Sequence, residues 1–276
     1  GFGGYASVPT MLAATFGSYN SIVHEQNAVL GRANRFLAGR VKLIATSFKG
    51  TRLVPKPALS KVVYTGMPVR PEVAAVRNIP YPELNNNGEL RLLVLGGSQG
   101  AHILSKVIPE AISRLGADLK SRLFISQQCR PEDIDSARDS FKRIAVNVKL
   151  ESFFSDIPEL FTHSHLLLSR AGASTVSEAM TVGRPAILVP YPHAVDNHQT
   201  FNAHALDEVG GGWLMSEESF TPDGLAERLG SLLTVPKILK RAAECARSSG
   251  QPEAAVRLAD AVCDLIGKNG NERKVA

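Results

Sequence analysis

The chain has 276 residues, of which 44% are hydrophobic and 21% charged, and this ordinary globular composition predicts about two domains. The net charge of +5 favours anionic partners such as phosphates and nucleotides, or simply keeps the surface soluble, and no Lys/Arg run interleaved with aromatics indicates nucleic-acid binding. Three scattered cysteines without CxxC spacing give neither a disulfide framework nor a zinc site, and no apolar run approaches the ~20 residues of a membrane span.

Short β-rich runs alternate with helical stretches along the chain. The first part predicts strands over residues 21–23, 41–45 and 61–64, with helical material over 29–38. The second part predicts strands over residues 90–95, 122–126, 146–150, 165–169 and 186–189. Its helices are expected from about 101 and over 131–143, 156–161, 173–181, 199–209, 222–233, 236–246 and 252–266, before a frayed tail from 269.

Continuous apolar strands alternating with helices indicate parallel sheets covered on both faces, so the predicted class is α/β. We expect a partial first domain over residues 1–70, an irregular linker over 71–88, and a complete second domain over 89–250. A C-terminal helix and tail occupy 251–276. Because a doubly wound domain normally opens with a strand and a phosphate-binding turn, we expect the first domain to lack its beginning.

A glycine-rich turn, LGGSQGA, follows the first strand of the second domain and opens a helix. Glycines let the backbone approach a phosphate, the helix N-terminus offers unpaired N–H groups, and Ser98 adds a hydroxyl. Tight strand-to-helix turns also need glycine for packing alone, so both interpretations stay open. No Gly-Lys-Ser/Thr follows, which excludes a Walker A loop.

A second turn of small residues, SRAGASTVSEA, follows the predicted strand 165–169. The free N–H groups of its first helical turn suit a diphosphate, and Glu178 is placed to hold the two hydroxyls of a ribose. The alternative is an N-capped helix with Glu178 as capping-box partner, which the spacing fits only loosely, from Thr175.

Three further polar clusters lie at strand ends or beside the linker. The segment 190–202, PYPHAVDNHQTFN, offers side chains for sugar hydroxyls, and its histidines and Asp196 match no familiar metal pattern. In the HEQN run that begins at His24, the histidine is either an acid–base group or a buried structural residue. Arg70 either faces a cleft and meets a nucleotide, or lies on the surface.

Together these segments are similar to the MurG-type undecaprenyl-diphospho-muramoylpentapeptide β-N-acetylglucosaminyltransferase family of bacterial peptidoglycan synthesis. The matching blocks are GFGGYASVP, HEQNAVLGRANRFLA, GMPVRPEV, LGGSQGA and SRAGASTVSEAMTVGRPAILVPYPHAVDNHQTFNA, with the helical tail. They span nearly the whole chain in the family's order. The resemblance implies a GT-B architecture: two Rossmann-like domains, the first incomplete here, with the active site between them and the C-terminal helix packing back on the first domain.

The resemblance also implies which residues hold UDP-N-acetylglucosamine, all but two of them in the second domain. Ser98 would contact the diphosphate, the segment 173–178 would cradle the diphosphate and ribose, and Gln199 would bind the sugar. The backbone of Phe154 would meet the uracil edge, although this sequence has Phe-Phe-Ser-Asp where aliphatic residues are common. The full set is Asn27, Arg70, Ser98, Phe154, Arg170, Ala173, Ser174, Thr175, Val176, Ser177, Glu178 and Gln199.

The implied reaction is the inverting transfer of N-acetylglucosamine to the 4-hydroxyl of undecaprenyl-diphospho-N-acetylmuramoyl-pentapeptide, which converts lipid I to lipid II. Helix N-termini near Ala101 and Ala173, with Ser98, would stabilise the departing diphosphate without a metal or cofactor. The resemblance implies a peripheral protein on the cytoplasmic face of the bacterial inner membrane. Its partners would be UDP-N-acetylglucosamine, lipid I and proteins of cell-wall synthesis and division, and not nucleic acid.

The family's N-terminal glycine-rich loop, with a Thr and a His proposed to meet the acceptor diphosphate, has no counterpart in this sequence. His24 and Glu25 are the candidate bases among the residues present, and we expect the base itself to lie in the missing segment. Two alternatives remain: a truncated, non-catalytic chain that binds a UDP-sugar, and another GT-B enzyme such as a UDP-N-acetylglucosamine 2-epimerase or a diacylglycerol galactosyltransferase. The HEQN and GGSQGA blocks argue against both of those enzymes.

Overall fold

The computed structural model describes residues 1–85, 88–97 and 102–272, and their strands form two parallel sheets. The α/β class with parallel sheets is therefore confirmed. The first sheet has the order β1-β2-β3 and packs a small core that includes Val23, Leu37 and Ile44. Its elements are α1 (Ser7–Phe16), β1 (Ile22–Glu25), α2 (Arg32–Leu37), β2 (Leu43–Thr46) and β3 (Val62–Tyr64).

The segment predicted as an irregular linker is partly helical. Helix α3 (Pro71–Ala75) begins with a proline at its first position, where the ring pre-sets φ, and it buries Val73 completely. Arg77 then donates hydrogen bonds to the carbonyls of Thr181 at 2.6 Å and Arg247 at 2.9 Å. Because these acceptors belong to the second domain, this end of the linker is fixed to that domain.

The second sheet has six parallel strands in the order β6-β5-β4-β7-β8-β9. The strand order reverses between β4 and β7, and the carboxyl ends of strands at such a reversal form the usual ligand crevice of open α/β sheets. The strands are β4 (Leu90–Leu95), β5 (Leu123–Gln128), β6 (Asn147–Glu151), β7 (Leu166–Ser169), β8 (Ala186–Leu188) and β9 (Gly212–Leu214).

Helices cover both faces of this sheet, and the central strands are almost completely buried, as their unbroken apolar sequences predict. In this domain α5 was not predicted, nor was the edge strand β9, which has only three residues and begins with glycine; in the first domain α1 was not predicted. The helices are α4 (His102–Ser113), α5 (Ala117–Arg122), α6 (Ile134–Arg143), α7 (Ile157–His163), α8 (Ala173–Val182), α9 (His198–Asp207), α10 (Pro222–Leu233), α11 (Pro236–Ser249) and α12 (Ala254–Glu272).

The last helix, α12, returns to the first domain. The side-chain amide of Asn20 donates to the carbonyl of Leu265 at 2.6 Å. Gly66 has φ +85°, and a Cβ there would lie 2.6 Å from Cβ of Gln251, so the close approach requires glycine. The prediction of a frayed tail from residue 269 is wrong as far as 272, because the helix continues through Gly267, Asn269 and Gly270 despite their low helix propensity.

Candidate functional site

A cleft of about 620 Å³ lies at the carboxyl ends of β4 and β7, between the second domain and the segment that leads into the linker. Its first-domain wall is formed by residues 67–70, and its floor includes Leu95 and Gly97. Gly97 has φ +81°, a left-handed conformation that favours glycine. The predicted donor residues that line this cleft are Arg70, Phe154, Ser174, Thr175 and Glu178.

Helix α8 begins at the cleft without a side-chain cap. Its N-cap is Gly172, in an extended conformation, and among the described residues no side chain caps its first turn. The N–H of Val176 donates to the carbonyl of Gly172 at 3.0 Å, so the three preceding N–H groups, of residues 173–175, have no acceptor within the helix. The capping-box alternative is therefore excluded, and these donors lie at the positive end of the helix dipole.

Glu178 forms a bidentate ion pair with Arg70 across the cleft. Arg70 Nε lies 2.8 Å from Glu178 Oε1, and Arg70 Nη2 lies 3.0 Å from Oε2. The glutamate side chain is only 9% exposed and the arginine side chain 50%, and the hydrogen bond to Glu178 raises the pKa of Arg70. Each carboxylate oxygen keeps a further lone pair, so the pair can still accept a hydroxyl donor.

The six consecutive residues predicted on α8 do not all face the cleft. Val176 is completely buried, and its N–H is already used within the helix. Ser177 lines a separate cavity of about 250 Å³ on the other side of α8, together with Tyr64 and Gln251. Because a helix turns about 100° per residue, only Ser174, Thr175 and Glu178 present side chains to the cleft.

An aromatic pair forms another wall of the cleft. Phe154 is buried, whereas its neighbour Phe153 is 73% exposed while lining the same cleft. An exposed ring in a cleft is a common stacking platform for a flat ligand group. Sequence reasoning singled out Phe154 and missed Phe153, although two adjacent phenylalanines in the polar loop after β6 were a signal that one of them must be exposed.

Asn27 lies in a second group of polar residues, at the contact between the domains. Asn202, fully buried on α9, accepts from the N–H of Ala28 at 2.8 Å and donates to Asn27 Oδ1 at 3.1 Å and to the Ala171 carbonyl at 3.0 Å. Ala171 directly precedes the N-cap of α8. One amide side chain therefore ties the HEQN loop to the turn that opens the helix.

Two further residues predicted at the donor site, Gln199 for the sugar and Arg170 near the donor, lie near the end of β8. Gln199 Oε1 accepts from the N–H of Tyr191 at 2.9 Å. Arg170 donates to the carbonyls at the end of β8 and pairs with Glu217, whose Oε2 is 2.5 Å from its Nη1. Sequence reasoning missed Glu217 because it follows β9, a strand that was not predicted.

His24 is buried and its ring nitrogens are engaged. Its Nε2 lies 3.2 Å from the Gly66 carbonyl, and the amide of Gln26 lies 3.4 Å from its Nδ1. Burial lowers the pKa of the imidazole, which favours the neutral form. Of the two interpretations that the sequence left open, this geometry favours the structural histidine.

Glu25 is also buried, and four donors surround its carboxylate. Oε1 accepts from the backbone and side-chain N–H groups of Asn27 at 3.0 and 3.3 Å, and Oε2 accepts from Gly31 N–H and the Asn34 amide, both at 2.8 Å. A carboxylate held by four donors organises the surrounding loop and is poorly placed to take a proton. Neither His24 nor Glu25 is among the residues that line the cleft.

Two predictions remain, one for the glycine-rich turn after β4 and one for Asp196. Ser98 and Ala101 lie outside the described residues. Asp196, considered as a metal ligand, instead forms an interdomain ion pair with Arg35 at 2.7 Å, and within residues 1–85, 88–97 and 102–272 no three His, Cys, Asp or Glu side chains group as metal ligands.

The whole chain is similar to known proteins. Models of the glycosyltransferase family 28 C-terminal and N-terminal domains match residues 91–258 and 1–46. A UDP-N-acetylglucosamine–N-acetylmuramyl-(pentapeptide) pyrophosphoryl-undecaprenol N-acetylglucosamine transferase of Paramagnetospirillum magneticum is 55% identical over 96% of this chain and 72% of its own length. The solved structure of MurG from Acinetobacter baumannii has a TM-score of 0.80 at 29% identity, covering 96% of this chain and 73% of that one. A UDP-GlcNAc 2-epimerase from Neisseria meningitidis has a TM-score of 0.62 at 15% identity, covering 95% and 74%, a likeness of fold alone.

Proposed function

We propose, because this chain belongs to glycosyltransferase family 28, that it transfers N-acetylglucosamine from UDP-N-acetylglucosamine to lipid I and so forms lipid II. A UDP-N-acetylglucosamine–N-acetylmuramyl-(pentapeptide) pyrophosphoryl-undecaprenol N-acetylglucosamine transferase is 55% identical to this chain, and the expected α/β glycosyltransferase fold with parallel sheets is confirmed. The epimerase alternative has no comparable support, since that likeness is confined to the fold.

The observation that carries the proposal is the start of α8, which has no side-chain cap among the described residues and opens on a 620 Å³ cleft beside a buried carboxylate. Free N–H groups at a helix N-terminus bind phosphates, because they point at the ligand and the helix dipole favours negative charge. Glu178, one turn further along, is placed to accept from ribose hydroxyls. This spacing suits a nucleoside diphosphate lying along the first turn.

The remaining assignments that we propose are supported by the residues that line the cleft. The N–H groups of residues 173–175 bind the diphosphate, the backbone at Phe154 meets the uracil edge, and the exposed ring of Phe153 stacks on the base. Gln199 was predicted to bind the sugar, and we propose that Asn27 and Arg170, predicted at the donor site, also lie on the sugar side, next to the interdomain contact.

In the reaction, the muramoyl 4-hydroxyl attacks C1 of the donor sugar from the face opposite UDP. The bond from C1 to the diphosphate oxygen breaks, UDP leaves with the electron pair, and the acceptor proton passes to a base. Negative charge grows on the diphosphate, where fixed helix N–H donors stabilise the transition state more than the ground state. Of the described residues that line the cleft, Glu178 alone carries a carboxylate, and its pairing with Arg70 suits binding and not proton transfer.

Isothermal calorimetry with UDP-N-acetylglucosamine tests the donor site, with UDP-glucose and ADP-ribose as controls. We expect selective binding of UDP-N-acetylglucosamine, and no conversion of the UDP-sugar in the absence of acceptor. A folded chain that binds all three ligands equally, or none of them, would show that the cleft is misassigned. Radiolabel transfer to a lipid I analogue then tests the acceptor half.

We further propose that the protein acts peripherally on the cytoplasmic face of the membrane, where lipid I would be its acceptor. In the described ranges no helix has the length and apolarity needed to cross a bilayer. Exposed aromatic side chains around α1 support surface contact: Phe2, Tyr5, Phe16 and Tyr19. Sedimentation with anionic vesicles should recover the chain, and Phe16→Ser should reduce that recovery. Contacts with cell-wall synthesis and division proteins stay a prediction.

A further inference from the structure

The loop after β8 must be held in place if Gln199 is to meet the donor sugar. This loop has irregular backbone: Asp196 and Asn197 both adopt positive φ, at +51° and +55°. Positive φ is uncommon for residues other than glycine, so the surrounding contacts must fix this conformation. The contacts at the start of the loop show what fixes it there.

Arg170, which directly follows β7, holds the start of the loop after β8 in place. Its Nη1 donates to the carbonyls of Val189 at 3.3 Å and Pro190 at 3.2 Å, and its guanidinium lies over the Tyr191 ring at 5.5 Å from the centroid. The arginine side chain is only 13% exposed. A planar guanidinium can serve several acceptors at once, and this one largely buried side chain therefore holds three successive residues.

Glu217, from the loop after β9, holds this arginine. Its Oε2 lies 2.5 Å from Arg170 Nη1, and the glutamate side chain is 27% exposed. That oxygen is buried and, within the described part of the chain, takes no hydrogen bond of regular geometry. Attraction to the guanidinium is therefore what offsets the desolvation of the carboxylate, and the pair joins the ends of β7 and β9.

The same set of contacts extends to Gln199, the residue proposed to bind the sugar. The N–H of Tyr191 donates to Gln199 Oε1 at 2.9 Å, which leaves the two amide N–H donors of Gln199 directed away from that contact. Contacts thus run from Glu217 through Arg170 and Tyr191 to Gln199. A shift of the arginine changes the position of the backbone that orients the amide.

Given the function proposed above, on which this inference rests, we propose that Glu217 is a positioning residue for the donor sugar. It contacts no part of the cleft that holds uracil, ribose or diphosphate, and it acts on the sugar through Arg170 and the loop. Its loss should therefore weaken recognition of N-acetylglucosamine selectively. A merely structural glutamate would instead weaken binding of UDP and of UDP-N-acetylglucosamine to the same degree.

The experiment measures the dissociation constants of UDP and of UDP-N-acetylglucosamine by calorimetry for the wild type, Glu217→Gln and Glu217→Asp. Glu217→Gln keeps the shape and removes the charge, and Glu217→Asp keeps the charge and shortens its reach. The matched control is Glu218→Gln, since Glu218 is the exposed neighbour. We expect unchanged UDP binding in all four proteins and a roughly tenfold loss of the additional affinity due to the sugar in Glu217→Gln.

Glu217→Asp should lie between the wild type and Glu217→Gln, and Glu218→Gln should match the wild type. An unchanged ratio of the two dissociation constants in both Glu217 variants overturns the inference, and so does an equal loss for both ligands. If the wild type itself shows no preference for UDP-N-acetylglucosamine over ADP-ribose, the proposed function is wrong, and this inference, which depends on it, is wrong as well. The wild-type titration therefore separates the two failures.

Discussion

Replacement of Glu178 by glutamine tests the donor site most directly. The carboxylate is 9% exposed and accepts from two nitrogens of Arg70, and it is the group that we assign to the ribose hydroxyls. Glutamine keeps the size and shape of the side chain but removes the charge. The folded structure should therefore persist while the proposed ligand contact weakens.

The expected loss follows from the hydrogen bonds involved. A hydrogen bond to a charged group contributes about 1.5–3 kcal/mol and a neutral one about 0.5–1.5 kcal/mol, so Glu178→Gln should cost about 1–2 kcal/mol of binding free energy. That corresponds to UDP binding that is about 5–30-fold weaker. Truncation by Glu178→Ala should cost about 1–3 kcal/mol. Because Arg70 is half exposed, its lost ion pair should reduce the stability of the free protein by less than about 1 kcal/mol.

Calorimetric titration with UDP and with 2′,3′-dideoxy-UDP measures the ribose contact itself. The wild type should bind the dideoxy compound more weakly than UDP, whereas Glu178→Gln should discriminate much less between them. Melting curves of both proteins check that the variant is folded. A folded Glu178→Gln protein that binds UDP as tightly as the wild type, or keeps the full discrimination, refutes the ribose assignment.

Three further predictions concern the contact between the domains and the buried histidines. Asn202→Ala should lower the free energy of unfolding by about 2–4 kcal/mol in urea titrations, because it leaves two buried backbone groups unpaired. The Arg35–Asp196 pair is partly exposed, so a double-mutant cycle should give at most about 1 kcal/mol, and less at high salt; a larger, salt-independent coupling would contradict this. Burial lowers the pKa of His24 and His165, so below about pH 6.5 the unfolded chain binds protons that the folded chain does not. Stability should be full above that pH and fall as the pH decreases below it, and a melting temperature that stays unchanged below about pH 6.5 would contradict the sign.

Elements with strong local signals were predictable from the sequence. Strand β4 is an unbroken apolar run, and α10 begins as predicted at Pro222, where the Thr221 hydroxyl accepts from Gly224 N–H at 3.1 Å. Strand β9 was not predictable in the same way. It has three residues, begins with glycine, and exists because it pairs with β8 at the sheet edge. Such pairing is a tertiary effect that no local pattern records.

At the candidate site, the sequence indicated which residue types gather at strand ends but not which contacts they make. Glu178 had two interpretations. The start of α8 at Gly172 excludes the capping box, and the contact that Glu178 makes instead is with Arg70, 108 residues away in the chain. His24 likewise had two interpretations, and its burial against Gly66 favours the structural histidine. Glu217 carried no local signal at all, because its importance comes entirely from its contact with Arg170.

The close contact of Gly66 with Gln251 determines how the two domains can move. The chain passes from one domain to the other twice, once near Gly66 and again between α11 and α12, and these two connections touch each other. Because these two connections between the domains touch, neither can move without displacing the other, and together they act as a single pivot for the two domains. Opening must then be a rotation about this point, and the displacement of each residue grows with its distance from the pivot. The Arg35–Asp196 pair joins the two domains through other residues, so a rotation that opens the cleft should break it.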